Sequence, residues 1–339
     1  MALFSAFAVR PLATQAARRR WKPAPAPLAD TATIPAWDPH RTPWPGREIT
    51  SGGVTLHVRE TPGAPDTAAV YVHGLAGSAT NWTDLADLLA GRATGMAIDL
   101  PGFGFSPPPT TGDYSPSAHA AALESFLAER DGPVHLIGNS FGGAVAIMVA
   151  SQRPDLVRTL SVISPAMPDR RPDPRRVSDP RLLLAQVPGL GRRARAALAA
   201  ETNRDRVESI VRLCFGDPTA PPEHRLLEAV AEYDARGKLP WAAYALDRTG
   251  RAMVASWVRG ESLWAVARRV PVPTLVIWGD RDRLVAPRHA ARTTRALRGR
   301  LLVLPGIGHV AQIEAPVTVA RAVAGMWDAV DAGTWEDLA

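Results

Sequence analysis

The chain has 339 residues, of which 46% are hydrophobic and 21% charged, a balance that allows a large buried core and excludes a wholly disordered protein. Most of its net charge of +6 lies at one end, because residues 1–47 hold seven basic and two acidic side chains. The rest is close to neutral, so we expect the folded part to bind no nucleic acid. Cys214 is the only cysteine, which excludes an intramolecular disulfide and a cysteine-based metal site.

Residues 1–46 form a basic, proline-rich N-terminal arm. Its short apolar run comes before Arg10, the reverse of the order in a secretory signal, so we expect no cleaved leader and a cytoplasmic protein. Seven prolines in residues 23–46 predict an extended chain, either free or docked on the body as a strap. The arginines before them are compatible with a weak peripheral contact to an anionic membrane, and equally with a solvated end.

From residue 47 onward, segments with strand and helix patterns alternate. The predicted strands are residues 54–60, 68–74, 95–102, 133–139, 156–165, 272–280 and 300–306. The predicted helices are residues 79–91, 115–130, 140–153, 287–299 and 309–330. This alternation predicts an α/β fold with a doubly wound, mostly parallel sheet covered by helices on both faces.

The alternation stops between residues 165 and 270, where a charged, proline-rich stretch is followed by helical patterns only. We therefore predict an all-helical cap, residues 165–270, inserted between two parts of one core, residues 47–164 and 271–339. The cap aromatics have helical spacing that favours ordinary packing, with lining of an acyl pocket as the alternative. These aromatics are Trp241, Tyr244, Trp257 and Trp264.

The first candidate site residue is Ser140, in the sequence Gly138-Asn139-Ser140-Phe141-Gly142. Functional residues of open parallel sheets lie just beyond the carboxyl ends of the strands. This G-x-S-x-G follows a predicted strand and opens a predicted helix, as a nucleophile elbow does. Side chains at Gly138 and Gly142 would collide with neighbouring backbone in such a turn. The pattern in this context predicts that Ser140 is a nucleophile.

Two later strand ends carry the groups that would activate a serine. Asp280 and Asp282 follow the strand 272–280, and either could orient a histidine; we prefer Asp282, with Asp280 bonding the turn. His309 follows the strand 300–306, in a glycine-flanked loop. The chain order Ser, Asp, His is the order of a triad in this kind of fold. By contrast, His119, His135 and Cys214 are interpreted as packing or surface residues.

Five motifs in the same order complete a resemblance to the α/β-hydrolase family with a helical cap, over roughly residues 50–330. They are "HG" at 73–74, "DLPGFGFS" at 99–106, "GNSFGG", "WGDRDRLVAP" and "GIGHVAQIEAP". The resemblance implies that Asp282 is the acid of the triad. It also implies that His73 and Gly74 form the oxyanion turn, with the backbone N–H groups of Leu75 and Phe141 facing the substrate oxygen.

The expected function is that of a carboxylesterase or lipase-like serine hydrolase acting on a small-molecule ester without cofactor or metal. His309 would take the proton of Ser140 while Asp282 fixes the ring, an acyl-enzyme would form, and water would release it.

Several alternatives stay open. A carbon-carbon bond hydrolase of the ring-cleavage-product type is similar in "GNSxGG", in Trp278 before Gly279 and in "AQ" after the histidine, although "HGLAGSATNW" lacks that family's Gly-Pro-Gly turn. Perhydrolysis without a cofactor would use the same triad. Epoxide hydrolases and dehalogenases are disfavoured because they carry Asp where Ser140 stands. A binding protein that has lost catalysis is disfavoured because every triad position is filled.

Overall fold

The computed structural model describes residues 22–169, 171 and 200–335. An eight-stranded sheet with the order β1-β2-β4-β3-β5-β6-β7-β8 forms its centre. The strands are β1 (Gly46–Ser51), β2 (Val54–Thr61), β3 (Ala68–Val72), β4 (Thr94–Ile98), β5 (Val134–Asn139), β6 (Val157–Ile163), β7 (Thr274–Gly279) and β8 (Arg300–Leu304). The pairs β1–β2 and β2–β4 are antiparallel and the other five are parallel, which confirms the mostly parallel sheet.

Helices cover both faces of the sheet. The flanking helices are α1 (Thr83–Leu89), α2 (Pro116–Ala128), α3 (Ser140–Gln152), α8 (Ala290–Ala296), α9 (Ala311–Glu314) and α10 (Pro316–Asp331). Successive residues of β3 point to opposite faces: Val70 joins the core cluster that contains Leu123 of α2, and Tyr71 joins the cluster that contains Val323 of α10. The sheet is therefore buried between two apolar cores, as its continuous hydrophobic strands predict.

Between β6 and β7, the described residues contain helices and no strand. These inserted helices are α4 (Asn203–Cys214), α5 (Glu223–Gly237), α6 (Ala242–Ser256) and α7 (Leu263–Ala267). The first three fall on segments with a helical pattern in the sequence. The proline-rich part of the predicted cap falls largely outside the described residues. The extent of the cap, residues 165–270, stays a prediction.

Some element boundaries differ from the sequence prediction. The closing helix predicted over residues 309–330 is two helices, α9 and α10. Pro316 explains the break, since proline has no backbone N–H to continue a helix and forces the preceding residue out of helical geometry. Ala315 accordingly has φ −141° and ψ 54°. Short 3₁₀ turns also begin the helices predicted over 79–91 and 287–299, at Ala79–Trp82 and Pro287–His289.

Part of the N-terminal arm lies along one edge of the sheet as an N-terminal strap, residues 24–44. Pro25 forms a parallel bridge with Leu301 of β8. Ala26 N–H donates to the Leu301 carbonyl at 3.0 Å, and Leu301 N–H donates to the Ala24 carbonyl at 2.9 Å. The strap also contains a 3₁₀ turn, Thr31–Thr33, which its prolines did not predict. Residues 1–21 lie outside the described residues, so a membrane contact through their arginines stays a hypothesis.

The second half of the strap lies between the body and the inserted helices. Arg225 of α5 donates to the Arg41 carbonyl at 3.0 Å and binds Asp84 of α1 at 2.6 Å. The Arg41 side chain itself binds Asp87 of α1 at 3.1 Å. These contacts tie the strap, α1 and α5 together. Nowhere in the described ranges is there a helix both long and apolar enough to span a bilayer.

Candidate active site

The turn between β5 and α3 places Ser140 in an unusual backbone conformation. Ser140 has φ 53°, which costs an L-residue about 1–2 kcal/mol. Its carbonyl accepts a hydrogen bond from Ala166 N–H at 2.9 Å, which attaches the turn to the chain beyond β6. A Cβ on Gly138 would lie 2.6 Å from the Gly142 carbonyl oxygen, and one on Gly142 would lie 2.3 Å from that of His73. The positive φ and the two blocked Cβ positions are compatible with a nucleophile elbow, and the role of Ser140 stays a prediction.

A buried histidine–carboxylate pair follows the ends of β7 and β8. His309 Nδ1 lies 2.8 Å from Asp282 Oδ2, and the two residues are only 4% and 6% exposed. The other oxygen, Oδ1, accepts from the backbone N–H groups of Leu284 and Val285 at 2.9 Å each. Because a carboxylate only accepts, a neutral His309 ring carries its proton on Nδ1 and leaves Nε2 as the basic nitrogen.

Asp280 has a different partner from Asp282. Its Oδ1 accepts from Gly306 N–H at 2.7 Å, at the beginning of the histidine loop. The structure thus pairs Asp282 with His309, the preferred choice in the sequence analysis. Asp280 bonds the histidine loop, 26 positions away, where a bond to its own turn was expected.

Asn139 joins the serine turn to the histidine loop. Its side-chain amide is buried and donates to the backbone carbonyls of Ile163 at 3.0 Å and His309 at 3.1 Å. The sequence prediction gave this residue no such role. The contact holds the ends of β5 and β6 and the histidine loop in one arrangement beside Ser140.

The histidine loop also contacts the inserted helices. His309 N–H donates to the carbonyl of Cys214, the last residue of α4, at 2.6 Å. Glu314 accepts from Gly308 N–H at 2.9 Å and from Gly216 N–H at 2.7 Å. Burial raises the pKa of Glu314, against the lowering effect of these backbone donors. Burial also raises the pKa of the Cys214 thiol to about 12, so Cys214 is a neutral packing residue whose backbone touches the site.

The turn after β3 lies against the serine. His73 is fully buried; Nδ1 donates to the Gly74 carbonyl at 2.7 Å and Nε2 accepts from Leu100 N–H at 3.0 Å. Burial lowers the pKa of His73, which keeps the ring neutral. A Cβ on Gly74 would lie 3.0 Å from the Cβ of Ser140. Leu75 follows Gly74 and Phe141 follows Ser140, so both predicted oxyanion donors belong to residues next to this contact.

The remaining histidines and aromatics that the sequence singled out differ in burial, with Trp241 and Trp257 half-buried. Burial lowers the pKa of His119 to about 4 and that of His135 to about 3. Trp264 is buried and donates from Nε1 to the Pro168 carbonyl at 3.1 Å, whereas Tyr244 is 58% exposed. Within the described part of the chain, no group of three or more His, Cys, Asp or Glu residues could hold a metal ion.

A family model described as the alpha/beta hydrolase fold matches residues 70–316, well over half of the chain. The chain belongs to the α/β-hydrolase fold family. The Ser140 turn, the Asp282–His309 pair and the His73–Gly74 turn all lie within the matched residues. The order of the strands and the interruption by inserted helices agree with membership of that family.

Several proteins of known class are similar to this α/β-hydrolase family member. The dihydrolipoyllysine-residue acetyltransferase component of the acetoin cleaving system from Pseudomonas putida is 29% identical over 78% of this chain, which spans only 64% of that protein's length. Lipase 3 of Moraxella sp. is 24% identical, over 73% of this chain and 72% of the lipase. The structure of 2-hydroxy-6-oxo-6-phenylhexa-2,4-dienoate hydrolase from Rhodococcus sp. strain RHA1 superimposes with a TM-score of 0.67 and 22% identity, covering 84% of this chain and 98% of that one.

Proposed function

We propose that the protein is a serine hydrolase that cleaves carboxylic esters of small molecules, in the manner of a carboxylesterase or lipase, through an acyl-enzyme on Ser140. The observation that carries the proposal is the buried Asp282–His309 pair, bonded at 2.8 Å and joined to the Ser140 turn through Asn139. A serine hydroxyl is a weak nucleophile until a neighbouring base takes its proton. The bond to Asp282 supports His309 as that base, because it holds the ring in one orientation.

In the proposed mechanism, Nε2 of His309 removes the Ser140 proton as the oxygen attacks the ester carbonyl. Asp282 holds the imidazole in the required tautomer and stabilises the imidazolium that forms. The negative charge that develops on the carbonyl oxygen is stabilised by the backbone N–H groups of Leu75 and Phe141. His309 then returns its proton to the leaving alcohol, and a water molecule activated by the same histidine releases the acid. The steps need neither a cofactor nor a metal.

A carbon-carbon bond hydrolase is the second candidate. The Rhodococcus hydrolase shares this fold over 98% of its own chain, which supports this second candidate. The similarity to Moraxella lipase 3 supports the ester hydrolase. The two candidates differ in the bond that the same nucleophile or base would break, so substrate tests separate them.

The test is hydrolysis of p-nitrophenyl esters, from acetate to palmitate, by the wild type and by Ser140→Ala at pH 8. We expect wild-type turnover and a loss of roughly 10⁴–10⁶ in kcat for the variant. Ser151→Ala is the matched control, because it removes a hydroxyl from the same helix, α3, away from the turn. It should keep the wild-type rate.

A wild type that hydrolyses none of these esters but is labelled at Ser140 by a fluorophosphonate would overturn the ester proposal and keep the nucleophile. Dienoate ring-cleavage products would then be the next substrates. A wild type that shows neither turnover nor labelling would support a binding protein instead.

A further inference from the structure

The C-terminal half of α5 lies on the loop that follows β3. Glu232 accepts from the Ser78 hydroxyl at 2.5 Å and from the Thr80 hydroxyl at 2.6 Å. Arg236, one helical turn further on, donates to the Ala76 carbonyl at 2.8 Å and to Glu232 at 3.3 Å. Two charged residues on one face of α5 therefore bind three residues of the same short loop, Ala76, Ser78 and Thr80.

This loop contains the turn that presents Leu75. Gly77 N–H donates to the Gly74 carbonyl at 2.9 Å, which closes a four-residue turn with Leu75 and Ala76 at its centre. The Gly74 carbonyl is opposite the Leu75 N–H across the same trans peptide. Fixing that carbonyl therefore fixes the direction of the N–H.

Ala76 makes this turn dependent on outside contacts. Its φ is 62°, a conformation that suits glycine at this turn position and strains an alanine. Such a conformation persists when surrounding contacts over-determine it. Arg236 bonds the carbonyl of this very residue, and Glu232 fixes Ser78 two residues later.

The side chains that join α5 to the loop are largely shielded from solvent. Glu232 and Arg236 are 18% and 20% exposed at the side chain, so solvent screens them only partly. Ser78 is 2% exposed. Hydrogen bonds between a carboxylate and hydroxyls are charge-assisted and stronger than those between neutral groups.

We propose that Glu232 and Arg236 are positioning residues for the oxyanion turn: α5 holds the Gly74–Gly77 turn so that the Leu75 N–H points at the substrate oxygen. The inference rests on the proposed ester-hydrolysis mechanism and adds residues from outside the core to it. The rate of acylation then depends on how α5 is seated. Binding of the substrate groups away from the carbonyl carbon does not depend on the position of α5.

The chain offers a matched control on the same helix. Arg225 of α5 also binds the body, through Asp84 at 2.6 Å, with side-chain exposures of 20% and 12%. Its contacts are with α1, with the strap and with Glu228 of α5 itself, and not with the turn. Arg225→Ala therefore removes a contact of similar burial between α5 and the body, without touching the residues beside Leu75.

The experiment measures kcat, KM and thermal unfolding of Glu232→Ala, Glu232→Gln and Arg225→Ala with the best p-nitrophenyl ester. We expect Glu232→Ala to lose about tenfold to a hundredfold in kcat with little change in KM, since a misdirected oxyanion donor costs up to about 10²–10³. Glu232→Gln should recover most of the rate, because its carbonyl and amide can still bond the two hydroxyls. Arg225→Ala should lower the unfolding temperature similarly and keep kcat.

Equal kcat losses in Glu232→Ala and Arg225→Ala, or a change confined to KM, would overturn the inference while leaving the ester mechanism intact. If Glu232→Ala does not fold, Ser78→Ala removes the same contact from the side of the turn and should show the same loss in kcat. A wild type without any ester turnover would instead reject the proposed function. The positioning role would then be tested by the rate at which a fluorophosphonate labels Ser140. We expect slower labelling in Glu232→Ala than in Arg225→Ala, and equal rates would overturn the inference.

Discussion

The side-chain amide of Asn139 donates a hydrogen bond to the backbone carbonyl of His309, 3.1 Å away, across 170 positions of the chain. The same amide donates to the Ile163 carbonyl at 3.0 Å. Both amide hydrogens are thus used on carbonyl oxygens, in a side chain that is 3% exposed. Asn139, beside the candidate nucleophile, therefore fixes the position of the backbone of His309, the candidate base.

Asn139→Asp should be strongly destabilising, because a carboxylate has no hydrogen to offer the two carbonyls that face it. We expect a loss of about 2–4 kcal/mol in the free energy of unfolding, measured by urea denaturation, together with reduced esterase activity. Asn81→Asp is the control, because Asn81 accepts from Ser78 N–H at 3.0 Å and a carboxylate can accept too. Its loss should stay below about 1 kcal/mol; equal losses in the two variants would contradict the assigned donor role.

Asp282→Asn should abolish most activity while Asp280→Asn should not. In Asp282→Asn the oxygen that bonds Leu284 and Val285 can be kept, which turns the amide NH₂ towards His309 and forces the wrong ring tautomer. A loss of about 10⁴ in kcat is typical of that change. Asp280→Asn keeps a carbonyl oxygen for Gly306 N–H and should retain about the wild-type kcat. A comparable loss of kcat in both variants would contradict the assignment of the orienting role to Asp282 alone.

Gly142→Ala should destabilise the protein by about 3 kcal/mol or more, since the added Cβ would lie 2.3 Å from the backbone carbonyl oxygen of His73, which cannot rotate away. Gly237→Ala is the control in another helix, α5, where a Cβ meets nothing within 4 Å. It should leave stability unchanged or raise it by up to about 1 kcal/mol. Urea or thermal unfolding measures both; a tolerated Gly142→Ala would show that the elbow can relax.

His135 should make the protein less stable in acid. Burial lowers its pKa to about 3, whereas the unfolded chain has a histidine pKa near 6.5. Between these values the unfolded state binds the extra proton, so stability is complete above about pH 6.5 and falls as the pH decreases towards 3. His135→Gln removes this proton uptake and can keep the bond to Thr159.

The measurement for His135 is the free energy of unfolding at pH 7.5 and pH 5. The wild type should lose about 2 kcal/mol more over this interval than His135→Gln, at about 1.4 kcal/mol for each pH unit below 6.5. His119 and His73 titrate alike in both proteins, so the difference isolates His135. Parallel pH dependences of the two proteins would show that folding does not lower the pKa of His135.

The sequence predicts the sheet and the three strand-end residues because both depend on short-range signals. A buried strand followed by Gly138-Asn139-Ser140 needs only local sterics to be read as an elbow, and the order of the strand ends brings Asp282 and His309 to the same edge. The break at Pro316 was missed although its signal is local, since a proline inside a helical pattern predicts an end or a kink.

The contacts that hold the candidate site are not visible in the sequence. Glu232 reaches Ser78 across 154 positions, and Glu314 bridges two backbone segments. On α5, Glu232 looks like one more charged residue of an amphipathic helix. Glu314 offers a weak signal, an acidic residue in an otherwise apolar segment, which a buried acceptor role explains. Such contacts depend on how separate layers pack, and that is decided by the whole fold.

The strap can cover the edge of β8 early, because of the order in which the chain is synthesised. An uncovered edge strand offers its N–H and C=O groups to any other extended chain, including a second copy of itself. The bonds of Ala24 and Ala26 to Leu301 occupy part of that edge on β8. Since the strap is synthesised about 270 residues before β8, its cover is already present when β8 leaves the ribosome. The part of β8 that pairs with the strap is thereby covered from the moment that this strand folds.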